Sequence, residues 1–168
     1  VWVPVTFGVR PPRLDAKLHP MVHYDSKLWQ FGTGAPLRAW VRGRGDDKWL
    51  LVDGSEPEDT TELHFLGVTL TLNQMLDGSA HIFDNGGTFV VSMNFDDVRE
   101  AAEAGIFVPD EAGMYQVRLA WDGRTAEGKT SASGVYFMRL VLKYKVEGQD
   151  KPFVVNRVYG LGFKHSVK

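Results

Sequence analysis

The sequence contains no cysteine among its 168 residues. This absence excludes a disulfide framework, a thiolate metal site and a cysteine nucleophile. No apolar run approaches the ~18 residues that a membrane-spanning helix needs. Positive charge is not in excess either, because 19 Lys and Arg face 21 Asp and Glu, a net charge of -2. Since such a chain lacks the basic field of a nucleic-acid-binding protein, we expect no nucleic-acid partner and no transmembrane segment.

The sequence also starts without an initiating methionine and without the charged and apolar stretches of a signal peptide. We therefore expect a processed product or a part of a longer protein. A chain of this length can bury about 70% of its unfolded surface, so it needs no cross-link in order to fold.

Signatures of catalysis and of cofactor binding are missing. There is no Gly-x-Ser-x-Gly, and the glycine pairs at residues 43–45 and 160–162 lack the third glycine of a dinucleotide site. His19 and His23 have a zinc-like spacing, but Pro20 between them favours extended chain. The carboxylates of residues 46–59 match no calcium-loop spacing. We expect no cofactor, no metal ion and no enzymatic activity.

Alternating apolar and polar residues, broken at short intervals by Gly, Pro, Asn and Asp, predict an all-β fold. The phase is clearest where Val117, Leu119 and Trp121 share one face of a strand. The last two predicted strands form a long terminal hairpin. The predicted strands cover residues 1–9, 21–31, 37–42, 49–53, 62–72, 79–93, 114–121, 135–146 and 153–163.

One short helix is predicted over residues 97–105. Asp97 can cap it, Glu100 follows three residues later as in a capping box, and Gly105 offers a left-handed stop. Its alanine-rich body has little apolar area, so we expect it to close one end of a sandwich rather than to recognise a partner.

An internal boundary is predicted in the acidic stretch of residues 53–59, which contains Gly54 and Pro57. It divides the chain into a β-rich N-terminal unit of unassigned family, residues 1–58, and a C-terminal sandwich with an extra terminal hairpin, residues 59–168.

Four short segments of the C-terminal part occur together in an order that carries a family resemblance. They are residues 82–90 (IFDNGGTFV), 121–124 (WDGR), 127–128 (EG) and 133–136 (SGVY). The pattern resembles the immunoglobulin-like domain of flagellar hook-capping proteins, over roughly residues 62–146.

These motif residues also have folding roles of their own. Asp122 and Gly123 can close a tight turn, because Asp bonds its own backbone and Gly accepts a positive φ. Trp121 supplies a large apolar plug beside the turn. Gly134 is expected to let the next strand begin without a steric clash.

The resemblance implies an immunoglobulin-like β-sandwich of Greek-key type with a structural or tethering role. Such domains occur in hook-capping proteins and at the C-terminus of secreted and surface proteins, some of which resemble cargo of the type IX secretion system. The helix and the terminal hairpin depart from the flagellar pattern and favour a C-terminal module. The implied location is secreted or cell-surface in a bacterium, with passage through the periplasm during export.

The first third of the chain holds four of its five tryptophans. In residues 37–42 the alternation places Trp40 on the same face as Arg38 and Arg42. A tryptophan on a polar face can stack on a sugar or anchor a partner. We predict binding residues at Trp40, Arg38, Arg42 and Trp29; the alternative is that the Trp40 ring is packed, with an arginine stacked on it.

The sequence thus favours a non-catalytic structural, anchoring or sorting module of a larger secreted or surface protein. Its expected partners are other domains of the parent protein or the surface and secretion machinery. One alternative is a polysaccharide-binding module that uses exposed tryptophan. Another is self-association as a subunit of a surface filament, in which the terminal hairpin pairs edge to edge with a neighbouring copy.

Overall fold

The structure is a computed structural model, and it describes residues 14–19, 21–24, 34–42, 48–56, 66–72, 77–144, 148 and 150–165. The strand predicted over residues 1–9, residues 25–31 of the next predicted strand, and Trp29 lie outside the described residues.

Strands account for all but one of the described elements, so the predicted all-β class with one short helix is confirmed. In chain order the elements are β1 (Leu14–His19), β2 (Met21–Tyr24), β3 (Leu37–Arg42), β4 (Trp49–Leu51), β5 (Leu66–Leu72), β6 (Asp77–Asp84), β7 (Phe89–Asn94), α1 (Asp96–Glu103), β8 (Tyr115–Trp121), β9 (Gly134–Tyr144) and β10 (Phe153–His165).

Two differences from the predicted strands have local causes. The run predicted over residues 79–93 divides into β6 and β7, because Asp84 begins a tight turn that the chain completes at Thr88. The strand β1 was not predicted, although its sequence alternates apolar and polar residues, because it is short and lies between prolines.

The described strands form two five-stranded sheets. Sheet 1 has the order β1-β5-β8-β3-β4, and all its pairs are antiparallel. Sheet 2 has the order β2-β10-β9-β6-β7, antiparallel except that β2 runs parallel to β10. Strands that are consecutive in sequence, β1 and β2, therefore belong to different sheets.

The boundary predicted between residues 58 and 59 lies between β4 and β5. Strands from before it are hydrogen-bonded to strands from after it in both sheets: β1 to β5, β3 to β8, and β2 to β10. The boundary therefore cuts across both sheets of the sandwich.

The core lies between the inner faces of the two sheets. Val117, Leu119 and Trp121 are buried there, as the alternation of β8 predicts. On β9 the inward side chains are equally buried, and the exposed Arg139 and Lys143 alternate with them. The buried residues of β9 are Tyr136, Met138, Leu140 and Leu142.

The helix α1 closes one end of the sandwich, as expected, by burying Val98 and Ala101 in the core. Its predicted start is wrong. The residue before the helix is Phe95, whose buried side chain makes no cap bond, and Asp97 belongs to the first turn. The N–H of Asp96 is instead accepted by Oδ1 of Asn94 at 3.1 Å. The predicted stop is confirmed, since Gly105 has a φ of 75°.

Four loops share one hydrogen-bond pattern, over residues 51–55, 84–88, 110–114 and 125–129. In each, the first residue donates its N–H to the carbonyl of the fifth, and the fourth donates to the carbonyl of the first. The fourth residue is always glycine, with φ between 78° and 88°. This is the three-residue turn that ends in a left-handed glycine. The same local turn, with glycine at its fourth residue, therefore occurs at four places in the chain.

Candidate functional site

The predicted tryptophan Trp40 lies on β3, between β8 and β4, opposite Arg118 on one side and Leu51 on the other. Leu37, Ala39 and Val41 point into the core. The opposite face of β3 therefore carries Trp40 together with Arg38 and Arg42, as the alternation predicts.

Trp40 is buried, since only 2% of this residue is accessible to solvent. It forms a small cluster with buried Ala120 on β8, and Trp49 and Leu51 of β4 pack against them. Its cross-strand neighbours on the outer face are thus largely apolar, which buries the ring. Trp40 cannot present a flat face to a sugar.

The neighbouring ring of Trp49 lies beside two arginines. The guanidinium carbon of Arg118 lies 4.0 Å from the ring centroid, and that of Arg42 lies 6.0 Å away. Arg42 Nη1 also donates to Oε1 of Gln116 at 2.9 Å. Burial, and then the charge of Arg42, lower the pKa of Arg118. The arginine stacking that the sequence analysis gave as the alternative for Trp40 thus occurs on the neighbouring ring of Trp49.

Three of these outer-face residues were not among the predicted site residues: Trp49, Arg118 and Gln116. They reach the cluster through the pairing of β3 with β4 and β8, which no pattern within one strand encodes. The predicted Arg38 has a different neighbour, since its Nε donates to the backbone carbonyl of Ala35 at 3.2 Å.

The Trp-Asp-Gly-Arg turn that follows β8 is held together by a buried ion pair. Asp122 is fully buried, and its Oδ2 accepts from Arg124 Nη2 at 2.6 Å and from Nε at 2.7 Å. Its Oδ1 accepts the backbone N–H of Arg124 at 3.0 Å. Gly123 has a φ of 80°, so both predicted roles in this turn are confirmed.

The same turn connects three parts of the chain. Arg124 Nη2 donates to the carbonyl of Gly34 at 3.2 Å, the N–H of Asp122 donates to Pro36, and the N–H of Ser131 donates to Gly123. These bonds join the entry of β3 and the approach to β9 to the end of β8.

Trp121 is the apolar plug of this turn, as predicted. It is completely buried, and its Nε1 donates to the carbonyl of Arg124 at 2.9 Å. Its ring meets Tyr136 of β9 edge to face, with centroids 5.0 Å apart. Burial raises the pKa of Tyr136, whose hydroxyl donates to the carbonyl of Ala132. The expected role of Gly134 is wrong, because a side chain there would meet no atom within 4 Å.

The outer face of sheet 2 carries exposed apolar side chains among charged ones. A row of aromatic side chains crosses it, since Phe137, Phe83 and Phe89 lie opposite one another on β9, β6 and β7. The rings of Phe83 and Phe89 meet edge to face at 6.2 Å. Exposed Val135, Val154 and Val158 extend this face over β9 and β10.

No group of three or more histidines, aspartates or glutamates that could hold a metal ion occurs in the described part of the chain. None of the helices there is long and apolar enough to cross a membrane.

The fold and these sites define an all-β sandwich with one short helix and an internal ion pair at its motif turn. Comparison of the chain with protein-family models, curated proteins and solved structures yields no match in any of the three. The resemblance to hook-capping domains therefore stays a prediction from the motif.

Proposed function

We propose that this chain is a non-catalytic structural module that anchors or sorts a larger secreted or cell-surface bacterial protein. The observation that supports this most directly is the use of the motif turn. Asp122 and Arg124 satisfy each other inside the sandwich instead of facing a ligand. A buried charge must be paired, and these two side chains therefore serve the stability of the fold.

Attachment surfaces are then expected on the exterior. The outer face of sheet 2 offers exposed apolar side chains, among them Phe89 and Val135. Exposed apolar side chains that lie close together can mark a contact with another protein. Other domains of the parent protein and the surface or secretion machinery are the partners that we propose.

The polysaccharide-binding alternative has less support. A sugar platform requires an accessible ring face, whereas Trp40 is buried and Trp49 has Arg118 over its ring.

The proposed role can be tested by fusing an exported reporter enzyme to the N-terminus of this chain, in a bacterium that has the type IX secretion machinery. We expect the reporter to become accessible to added protease on intact cells. The same reporter without the chain, and the fusion in a strain that lacks the machinery, are the controls. Equal protection of the reporter in all three strains would exclude the sorting role.

A further inference from the structure

The strand β10 has an open edge within the described part of the chain. On one side β9 pairs with it continuously from Phe153 to Phe163. On the other side β2 pairs only with Gly162–His165. Within the described part of the chain, residues 153–161 therefore have no strand on that side, and a strand edge of this kind can accept an added strand.

Little in this segment blocks such pairing. Proteins protect open edges with prolines, charges or bulges. Here Pro152 precedes the strand, Arg157 is the one charged residue of residues 153–161, and the register with β9 has no bulge. Two valines next to the edge are widely exposed, Val154 at 55% and Val158 at 61%.

We infer that this edge pairs antiparallel with the same edge of a second copy of the chain, about a twofold axis at Asn156. In that register Val154 lies opposite the partner's Val158, and Val158 lies opposite the partner's Val154. Arg157 lies opposite the partner's Val155, so the two arginines avoid each other. A register centred on Arg157 would instead place like charges face to face.

The second copy is favoured over an unrelated strand because the segment is self-complementary in this way. Each exposed valine gains an apolar cross-strand neighbour, and each arginine gains a neutral one. A twofold contact uses the same surface on both chains and closes on itself. The product is therefore a dimer with one continuous sheet of two copies of sheet 2, not an open filament. This association does not depend on the proposed anchoring role.

Sedimentation of the whole chain over a wide concentration range gives the first test. We expect the mass to rise from one chain to two and no further. Val158→Lys should keep the chain monomeric at every concentration. Val135→Lys is the matched control, because Val135 is exposed at 50% on the same face but lies on β9, away from the edge. That variant should still dimerise.

The absence of cysteine permits a second test that does not depend on a charged substitution. Asn156→Cys places two thiols on the axis, where directly opposite antiparallel residues have Cα atoms about 4.5–5.5 Å apart, within disulfide reach. Mild oxidation should cross-link most of this variant. Asn94→Cys is the control, because Asn94 lies on β7, at the opposite side of the same sheet. It should cross-link little.

Three results would overturn the inference. The first is the mass of a single chain at all concentrations. The second is loss of the dimer in both lysine variants, which would assign the contact to the outer face of sheet 2 rather than to its edge. The third is equal cross-linking of the two cysteine variants. Unchanged circular dichroism of each variant shows that it is folded.

Discussion

The side chains of Asp122 and Arg124 show how single residues hold this fold together. The carboxylate is completely buried and the guanidinium is nearly so, with side-chain bonds of 2.6 to 2.7 Å between them. Arg124 also reaches the backbone of Gly34, far away in sequence. Arg124 therefore neutralises the Asp122 carboxylate and connects the turn to the residues just before β3.

Replacing this arginine should be strongly destabilising. Arg124→Met leaves the Asp122 charge buried without its partner, and we expect the free energy of unfolding to fall by about 3–5 kcal/mol. Urea denaturation followed by tryptophan fluorescence measures the loss.

The matched control removes an exposed ion pair. Lys48 Nζ lies 3.0 Å from Glu56 Oε1, and both side chains are more than half exposed. Lys48→Met should cost less than about 1 kcal/mol, because solvent screens such pairs. If both variants lost the same small amount, the buried pair would have no special role in stability.

Trp40 illustrates what a residue pattern leaves open. Alternation along β3 correctly places Trp40 on the face that points away from the core. The burial of its ring, however, depends on Ala120, Trp49 and Leu51, which lie on two other strands. A strand's own sequence specifies which face a side chain occupies and not what lies beside it.

At the scale of elements, the four similar loops are the clearest case of local sequence setting structure. Each has glycine at its fourth position, and the first residue of two of them is an aspartate that accepts two backbone N–H groups through Oδ1. These are Asp84 and Asp110. Such loops form from nearest neighbours alone, so they should form early in folding.

Their glycines can be tested directly. Gly128 has a φ of 82° and open space around it. Gly128→Ala should therefore cost about 1–2 kcal/mol through backbone strain alone, and Gly128→Asn should recover part of the loss. Thermal denaturation of the variants gives the comparison.

The control is Gly134→Ala, since Gly134 also has open space but lacks a positive φ. Its stability should stay the same or rise slightly, because alanine restricts the unfolded chain. A similar loss at both positions would contradict the assignment of the cost to the left-handed conformation.

At the scale of the whole molecule, strands from before and after the predicted boundary share each sheet. β3 lies between β8 and β4 and contributes Leu37, Ala39 and Val41 to the core. The boundary predicted from the acidic stretch thus falls between β4 and β5, two strands of the same sheet.

The fragment of residues 59–168 tests this arrangement. Without β3, one side of β8 loses its partner strand and the core loses three buried side chains. We expect no cooperative unfolding transition from the fragment, and a sharp one from the whole chain. Mixing the fragment with the peptide of residues 1–58 should restore part of the transition. A sharp transition of the fragment alone would instead support two independent units.

Much of the fold could be predicted from sequence, and the site could be predicted only in part. The strands β3, β8, β9 and β10 and the turn at Asp122 were predicted, because alternation and turn chemistry act over a few residues. The start of α1 was not, because the residue before the helix is Phe95, which is buried by tertiary packing, and the N–H of Asp96 is accepted by Asn94 rather than by Asp97. Trp49 and Arg118 were not connected with Trp40, because the register between strands joins them.

The sequence by itself determined the all-β class, the inward faces of the central strands and the turn at Asp122, since each follows from neighbours along the chain. The tertiary structure alone decided that Trp40 is buried, that the two halves of the chain share their sheets and that, within the described residues, β10 has a strand on only one side along most of its length. Those properties depend on which strands become neighbours. Which strands become neighbours depends on the burial of apolar faces over the whole chain, and the sequence of a single segment does not specify it.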